Sequence, residues 1–175
     1  MSAAVEEVDV VDAEDVVIGR ATRAEIRAGN LRHRATYVLV FNSDGKLFVH
    51  QRTTTKDIYP GYFDVAVGGV VGAGESYDAA AQRELAEELG VTAVPLRRVL
   101  RCSYEDEHNR VNGMVYSCTY DGPVTLQASE LVAGEWLDLD VILERAQRQP
   151  FCPDGVDALC RYLDRLESAR ARLSS

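Results

Sequence analysis

Two hydrophobic rhythms divide the chain. Over residues 8–11, 16–20, 35–41, 46–51 and 63–67 the apolar positions form short β-branched and aromatic runs, which predict strands. The polar stretch Asp12-Ala13-Glu14-Asp15 separates the first two, and Ser43-Asp44-Gly45 is a turn signal that makes the next pair a β-hairpin. Residues 53–61 read as a loop closed by Pro60-Gly61. The rhythm then changes. Residues 76–89 predict a helix, with Ser76 as N-cap, Asp78 in the first turn, the helix-favouring run Ala79-Ala80-Ala81, and Gly90 as the stop. Strands are expected at 96–104 and 110–120, with Trp136 in or near a last one. Helices at 139–147 and 153–172 close the chain. In the second, Leu159, Tyr162, Leu163 and Leu166 recur at helical spacing and predict a buried stripe. Residues 1–7 are expected to be mobile. Residues 8–175 are expected to form one domain with its core at about 34–165; no repeat or linker divides it.

Composition narrows the function classes. A chain of 175 residues with 46% hydrophobic content is long enough to bury a core. Its formal net charge of -9 argues against general nucleic-acid binding, which needs clustered Lys and Arg. Small anionic substrates remain open if a divalent metal or local basic residues neutralise them. No apolar run approaches the length of about 18 residues that crosses a membrane, and the acidic start lacks a secretory pattern. Cys102, Cys118, Cys152 and Cys160 show neither C-x-x-C nor zinc-finger spacing. They are expected to be free thiols in a reducing cytoplasm.

The stretch that carries chemistry runs from Gly69 to Val91. Glu84, Glu87 and Glu88 stand at i, i+3 and i+4, so a helix puts them on one face and turns Leu85 and Leu89 to another side, where they can pack on a sheet. Carboxylates about 5 Å apart repel by about 3 kcal/mol at an effective dielectric of about 20. Glu87 and Glu88 also lie in the last turn, where the helix dipole favours cations. Arg83 can pair with Glu87 at i+4, but one Arg does not offset three Glu. A hard divalent cation reverses the balance, and Mg2+ or Mn2+ takes oxygen ligands of this kind. A solvated acidic face is the competing reading for the glutamates alone. The preceding glycines, Gly68, Gly69, Gly72 and Gly74, weigh against it, because they let backbone approach a ligand closely.

Together these residues resemble the Nudix box, G-x5-E-x7-R-E-U-x-E-E-x-G-U, where U is bulky and aliphatic. Gly69, Glu75, Arg83, Glu84, Leu85, Glu87, Glu88, Gly90 and Val91 fill all its fixed positions. The resemblance implies an α+β fold, an α/β/α sandwich with a mixed central sheet. It implies metal ligation by Glu84, Glu87 and Glu88, with the Gly69 carbonyl as a further ligand, and orientation of the glutamates by Arg83. Glu75 becomes a supporting acid. The base toward the attacking water becomes one of the three glutamates or a carboxylate outside the box. The implied reaction is attack of metal-activated water on a diphosphate.

Residues 9–75 are similar to the isopentenyl-diphosphate isomerase branch of the superfamily, through Val10-Val11-Asp12, Leu31-Arg32-His33-Arg34-Ala35, Gln51-Arg52, Lys56 and Pro60-Gly61-Tyr62-Phe63. That similarity makes Arg52 and Lys56 candidates for binding substrate phosphate; exposed loop cations are the plain alternative. The branch's reactive Cys and metal-binding His are replaced by Gly68 and Val70, and its later Glu by Asn112. His33 keeps the place of one metal ligand without its companions and reads as a surface or supporting histidine. Glu130 is a candidate extra carboxylate, with an ordinary exposed Glu as the alternative. The expected function is hydrolysis of a nucleoside diphosphate linked to another group, or a related P–O–P compound. The alternatives are an isomerase-like enzyme or a non-catalytic nucleotide-binding module. A homodimer is in keeping with the family. Aromatics in the two loops expected to set specificity, Tyr59, Tyr62 and Tyr104, could stack on a base or simply pack.

Overall fold

The structure, a computed structural model, describes residues 5–173. Eight strands and four helices follow in the order β1 (Glu7–Val11), β2 (Val17–Thr22), α1 (Arg23–Gly29), β3 (His33–Phe41), β4 (Leu47–Arg52), β5 (Phe63–Asp64), α2 (Tyr77–Leu89), β6 (Arg97–Glu105), β7 (Arg110–Thr119), β8 (Leu131–Leu137), α3 (Leu139–Ala146) and α4 (Pro153–Leu173). The sheet is mixed. β3 runs parallel to β7 from His33↔Val111 to Phe41↔Thr119, while β1–β2, β6–β7 and β4–β8 are antiparallel.

Alternation along β3 and β7 serves two cores. Ala35, Tyr37, Leu39, Val111 and Val115 face Ile142 of α3 and Ala158, Leu159 and Tyr162 of α4. Val38, Val40, Met114 and Tyr116 face Ala81, Leu85 and Leu89 of α2. Helices thus cover both faces, giving the α+β, α/β/α arrangement in which period-2 strands feed two separate layers. The predicted stripe of α4 is buried as expected at Leu159 and Tyr162.

The hairpin at Ser43-Asp44-Gly45 opens almost at once. β3 and β4 pair only at Phe41↔Leu47. Beyond that point β4 turns to β5 and β8, while the chain after β5 lies against β3 through bridges at Val38↔Val67 and Ala35↔Val70. The strand expected at 63–67 is therefore split between two partners. This wedge carries Gly68 and Gly69 across the sheet and delivers the chain to α2.

Two expectations need correction. No helix was expected at α1, yet Thr22 and Glu25 form a capping box: Thr22 N donates to Glu25 Oε2 at 2.8 Å, and Glu25 N to Thr22 Oγ1 at 3.3 Å. The segment 1–7 was expected to be mobile. Residues 1–4 lie outside the described residues, but Glu7 belongs to β1 and the Glu6 carbonyl accepts from Arg23 N at 2.8 Å. Among the described residues, no helix is long and apolar enough to cross a membrane.

Candidate active site

Local forces fix α2 at both ends. Ser76 Oγ accepts from Ala79 N at 3.2 Å, and Gly90 adopts φ 67°, a left-handed C-cap. Leu85 and Leu89 are buried against the sheet, which turns Glu84, Glu87 and Glu88 toward the wedge. The three do not share one environment. Glu87 is half exposed, Glu84 is mostly covered, and Glu88 is only 2% exposed.

Arg83 organises the loop side. Its Nε and Nη2 each donate to a different oxygen of Glu75 at 3.0 Å. Nη1 donates to Glu84 Oε1 at 2.8 Å and Glu87 Oε2 at 3.2 Å, and Nη2 reaches the Val70 carbonyl at 3.3 Å. Glu75 also accepts from Gly72 N at 3.0 Å. These donors hold the Glu75 carboxyl below its ordinary range against the opposing effect of burial, the largest influence on it.

Lys56 organises the other side. Its Nζ lies 3.5 Å from Glu88 Oε1 and hydrogen-bonds Glu130 Oε2. The sequence left Glu130 as either a site residue or an ordinary exposed acid, and it stands at the cleft with Lys56. Glu88 Oε2 is buried without a partner. Burial pushes the Glu88 carboxyl up to about 8, with Lys56 opposing and Glu84 and Glu130 adding to the rise.

Most of these residues line a cavity of about 330 Å3, within the usual range for small-molecule sites. Glu84, Glu87, Arg83, Gly69, Arg52, Lys56 and Glu130, candidates from the sequence, all border it; Glu88 reaches it through Lys56. His33 borders it too, so of the two alternatives, surface or supporting, the structure leaves the supporting one. It is 1% exposed, its Nδ1 is 2.9 Å from the Leu31 carbonyl, and desolvation lowers its pKa to about 4. Arg52 is buried rather than a free loop cation: Nη2 donates to the Ile58 carbonyl at 3.2 Å. Tyr59 is buried in the cavity wall with its hydroxyl 2.5 Å from Asp106 Oδ2. Tyr62 packs on Tyr59, ring centroids 5.7 Å apart, and the Tyr104 hydroxyl is 3.0 Å from the same Asp106 oxygen.

Several wall residues escaped the sequence reading. Arg23 and Arg27 come from α1 and share Asp57 at 3.0 Å each. The Thr22-x-x-Glu25 capping signal would have found that helix. Asp64, Asn109 and Asp154 meet only through long-range pairing, which no local pattern announces.

The donor set fits a hard divalent cation. It is made of carboxylate oxygens, one of them orphaned and buried on Glu88. At position 69 a Cβ would stand 2.7 Å from Glu84 Oε1, so only glycine leaves that carboxylate its place. The Gly69 carbonyl accepts from Thr36 N at 3.0 Å. Arg83 and Lys56 occupy the glutamates, and among the described residues no three His, Cys, Asp or Glu side chains stand in ligand geometry. At position 68 a Cβ would meet the Thr36 carbonyl oxygen at 1.9 Å, so this backbone has no room for a cysteine there. Val70 is buried with Val8 and Ile26.

Comparison with known proteins identifies the family. The NUDIX domain family model matches residues 31–155. An uncharacterised Nudix hydrolase of Pseudomonas aeruginosa is 44% identical over 154 residues, covering 88% of this chain and 91% of its own. The uncharacterised Nudix hydrolase YfcD of Escherichia coli is 42% identical over 163 residues, covering 93% and 89%. The crystal structure of DR0079 from Deinococcus radiodurans superposes with a TM-score of 0.78 at 29% identity, over 89% of this chain and 98% of that one. Fold, site and relatives thus define a hydrolase acting on pyrophosphate bonds. More particularly, the chain belongs to the Nudix family, whose hydrolases generally use divalent metals such as Mg2+.

Proposed function

We propose that this protein hydrolyses the P–O–P bond of a nucleoside diphosphate linked to another group, or of a related compound, with Mg2+ or Mn2+. The carrying observation is the buried, unpartnered Oε2 of Glu88, on the helix that also carries Glu84 and Glu87 into the wall of a cavity lined by Arg23, Arg27, Arg52 and Lys56. Glu84, Glu87 and Glu88 would hold the metal, with the Gly69 carbonyl as a further donor. When bound, the metal supplies charge neutralisation at the phosphoryl oxygens and activation of water.

The chain's own residues do the rest. Arg83 orients Glu84 and Glu87 from its anchor on Glu75. Lys56 and Arg52 supply positive charge for the substrate diphosphate. Glu130, held beside Lys56, is the carboxylate outside the box placed to take a proton. The isomerase-like surroundings of Arg52 and Lys56 thus serve phosphate binding, since Gly68 and Val70 carry neither a reactive thiol nor a ligand imidazole.

The test is a panel of nucleoside diphosphate compounds followed by 31P NMR with Mg2+, Mn2+ or chelator. Metal-dependent cleavage of at least one compound supports the reading. Absence of cleavage across the panel, or cleavage unaffected by chelator, overturns it.

A further inference from the structure

One end of the same cavity is lined by two acids that the diphosphate reaction does not use. Asp64 and Asp154 both line it and are buried, 8% exposed each. Asp154 Oδ2 accepts from the Tyr37 hydroxyl and from Asn109 Nδ2, each at 3.0 Å, and its Oδ1 accepts from Gly155 N at 3.0 Å. Asp64 Oδ1 accepts from Ala66 N at 3.1 Å. Gly155 makes the pairing fit: a Cβ there would stand 2.2 Å from Asp64 Oδ1. Asp154 sits in the first turn of α4, where the helix dipole favours negative charge. This end is therefore built as a fixed acceptor surface.

A donor stands beside it. Arg52 is 9% exposed and lines the cavity, its Nη1 lies 4.0 Å from Asp64 Oδ2, and its Nε is buried without a partner. Thr36, 1% exposed, also lines the cavity with an unpartnered hydroxyl. Buried polar groups left unpaired cost free energy until a ligand pairs them. The cavity is also bipolar. Arg23, Arg27 and Lys56 line it together with the acids, and its volume of about 330 Å3 is roughly that of one nucleoside with a phosphate, at the small end of ligand pockets.

We propose that this end of the cavity is a base-recognition subsite for a heterocycle that presents a carbonyl beside adjacent N–H groups, the edge carried by guanine. Thr36 offers its unpartnered hydroxyl to the carbonyl, Asp64 with Asp154 accept from the ring N–H and the exocyclic amine, and Arg52 stands between this subsite and the diphosphate. Burial raises the pKa of both carboxyls, so a ligand that donates to their charged forms relieves part of that cost. The subsite rests on reading the cleft as a nucleotide site.

The experiment is calorimetric titration of the full chain with guanosine, inosine and adenosine, without metal or diphosphate. Guanosine is expected to bind at least about tenfold more tightly than inosine, which lacks the amine, and than adenosine, which lacks the carbonyl, as an unpaired buried group costs about 1.4 kcal/mol or more. In Asp64→Asn the preference for guanosine over inosine is expected to shrink to about threefold or less. Equal affinities in the wild type, a preference for adenosine, or no binding of any of the three overturns the subsite. The nucleoside series uses wild-type protein, so poor folding of the variant does not blunt it. Hydrolysis is not part of the readout, so failure here is separate from failure of the diphosphate reaction.

Discussion

Arg83 meets Glu75 with two parallel hydrogen bonds, Nε to Oε1 and Nη2 to Oε2, both at 3.0 Å. The pair ties the Gly-rich loop to the middle of α2 and leaves Nη1 free to hold Glu84 and Glu87. Bidentate Arg–carboxylate pairs are the stronger and more directional kind. Both partners are partly exposed, so solvent screening limits their worth. Glu75→Gln is expected to destabilise the fold by only about 1–2 kcal/mol, or about 2–8 °C in Tm, while lowering kcat at least about tenfold through misplaced glutamates. Thermal unfolding and steady-state kinetics on the same sample check the two parts.

Gly68 and Gly69 are neighbours with different reasons for being glycine. A Cβ at 68 meets backbone, the Thr36 carbonyl at 1.9 Å, whereas at 69 it meets the tip of Glu84 at 2.7 Å. Gly68→Ala is expected to cost about 3 kcal/mol or more of stability. Gly69→Ala is expected to keep most of the stability and lose metal affinity, because the flexible Glu84 side chain yields. Urea unfolding and Mn2+ titration by electron paramagnetic resonance separate the two outcomes.

His33 gives a pH prediction. Desolvation lowers its pKa from the usual 6.5 to about 4, so the folded protein holds it neutral while the unfolded chain protonates it normally. Between those two values the unfolded state binds the extra proton. Stability from this group is full above about 6.5 and is lost as pH falls toward 4. His33→Asn keeps a side-chain donor for the Leu31 carbonyl and removes the titration. Its urea-derived stability is expected to fall less steeply over that window, by up to about one proton, or about 1.4 kcal/mol per pH unit. An unchanged slope contradicts the assignment.

Lys56 stands against two acids, one of them wholly buried. Lys56→Gln removes positive charge from the cleft and is expected to raise KM at least about tenfold, the cost of one charge-assisted phosphate contact. The fall in kcat is expected to be smaller. A change confined to kcat would place Lys56 outside substrate binding.

The sequence made the chemistry of this protein more readable than its walls. Gly69, Glu75 and Arg83 to Val91 are close in the chain, so helix geometry alone puts them together. Leu85 and Leu89 were correctly assigned to the sheet side for the same reason. The unequal depth of Glu84, Glu87 and Glu88 could not be read, because it depends on Lys56 and Glu130, distant in sequence. The split of the expected strand at 63–67 depends on β3 and β4 parting after Phe41↔Leu47, a tertiary choice. Asp64 and Asp154 meet only once α4 packs against β5. The helix at Arg23–Gly29 was legible in Thr22 and Glu25, and that capping signal went unread.

Glu88, buried with one orphaned oxygen, is the proposed ligand on which metal-assisted diphosphate hydrolysis depends most. The most direct measurement is kcat at saturating Mg2+ for wild type and Glu88→Gln on whichever compound of the panel is cleaved. Gln keeps the shape and removes the charge. A fall of about 100- to 1000-fold, several kcal/mol of lost charge stabilisation, is predicted. Equal turnover by the two proteins contradicts the account.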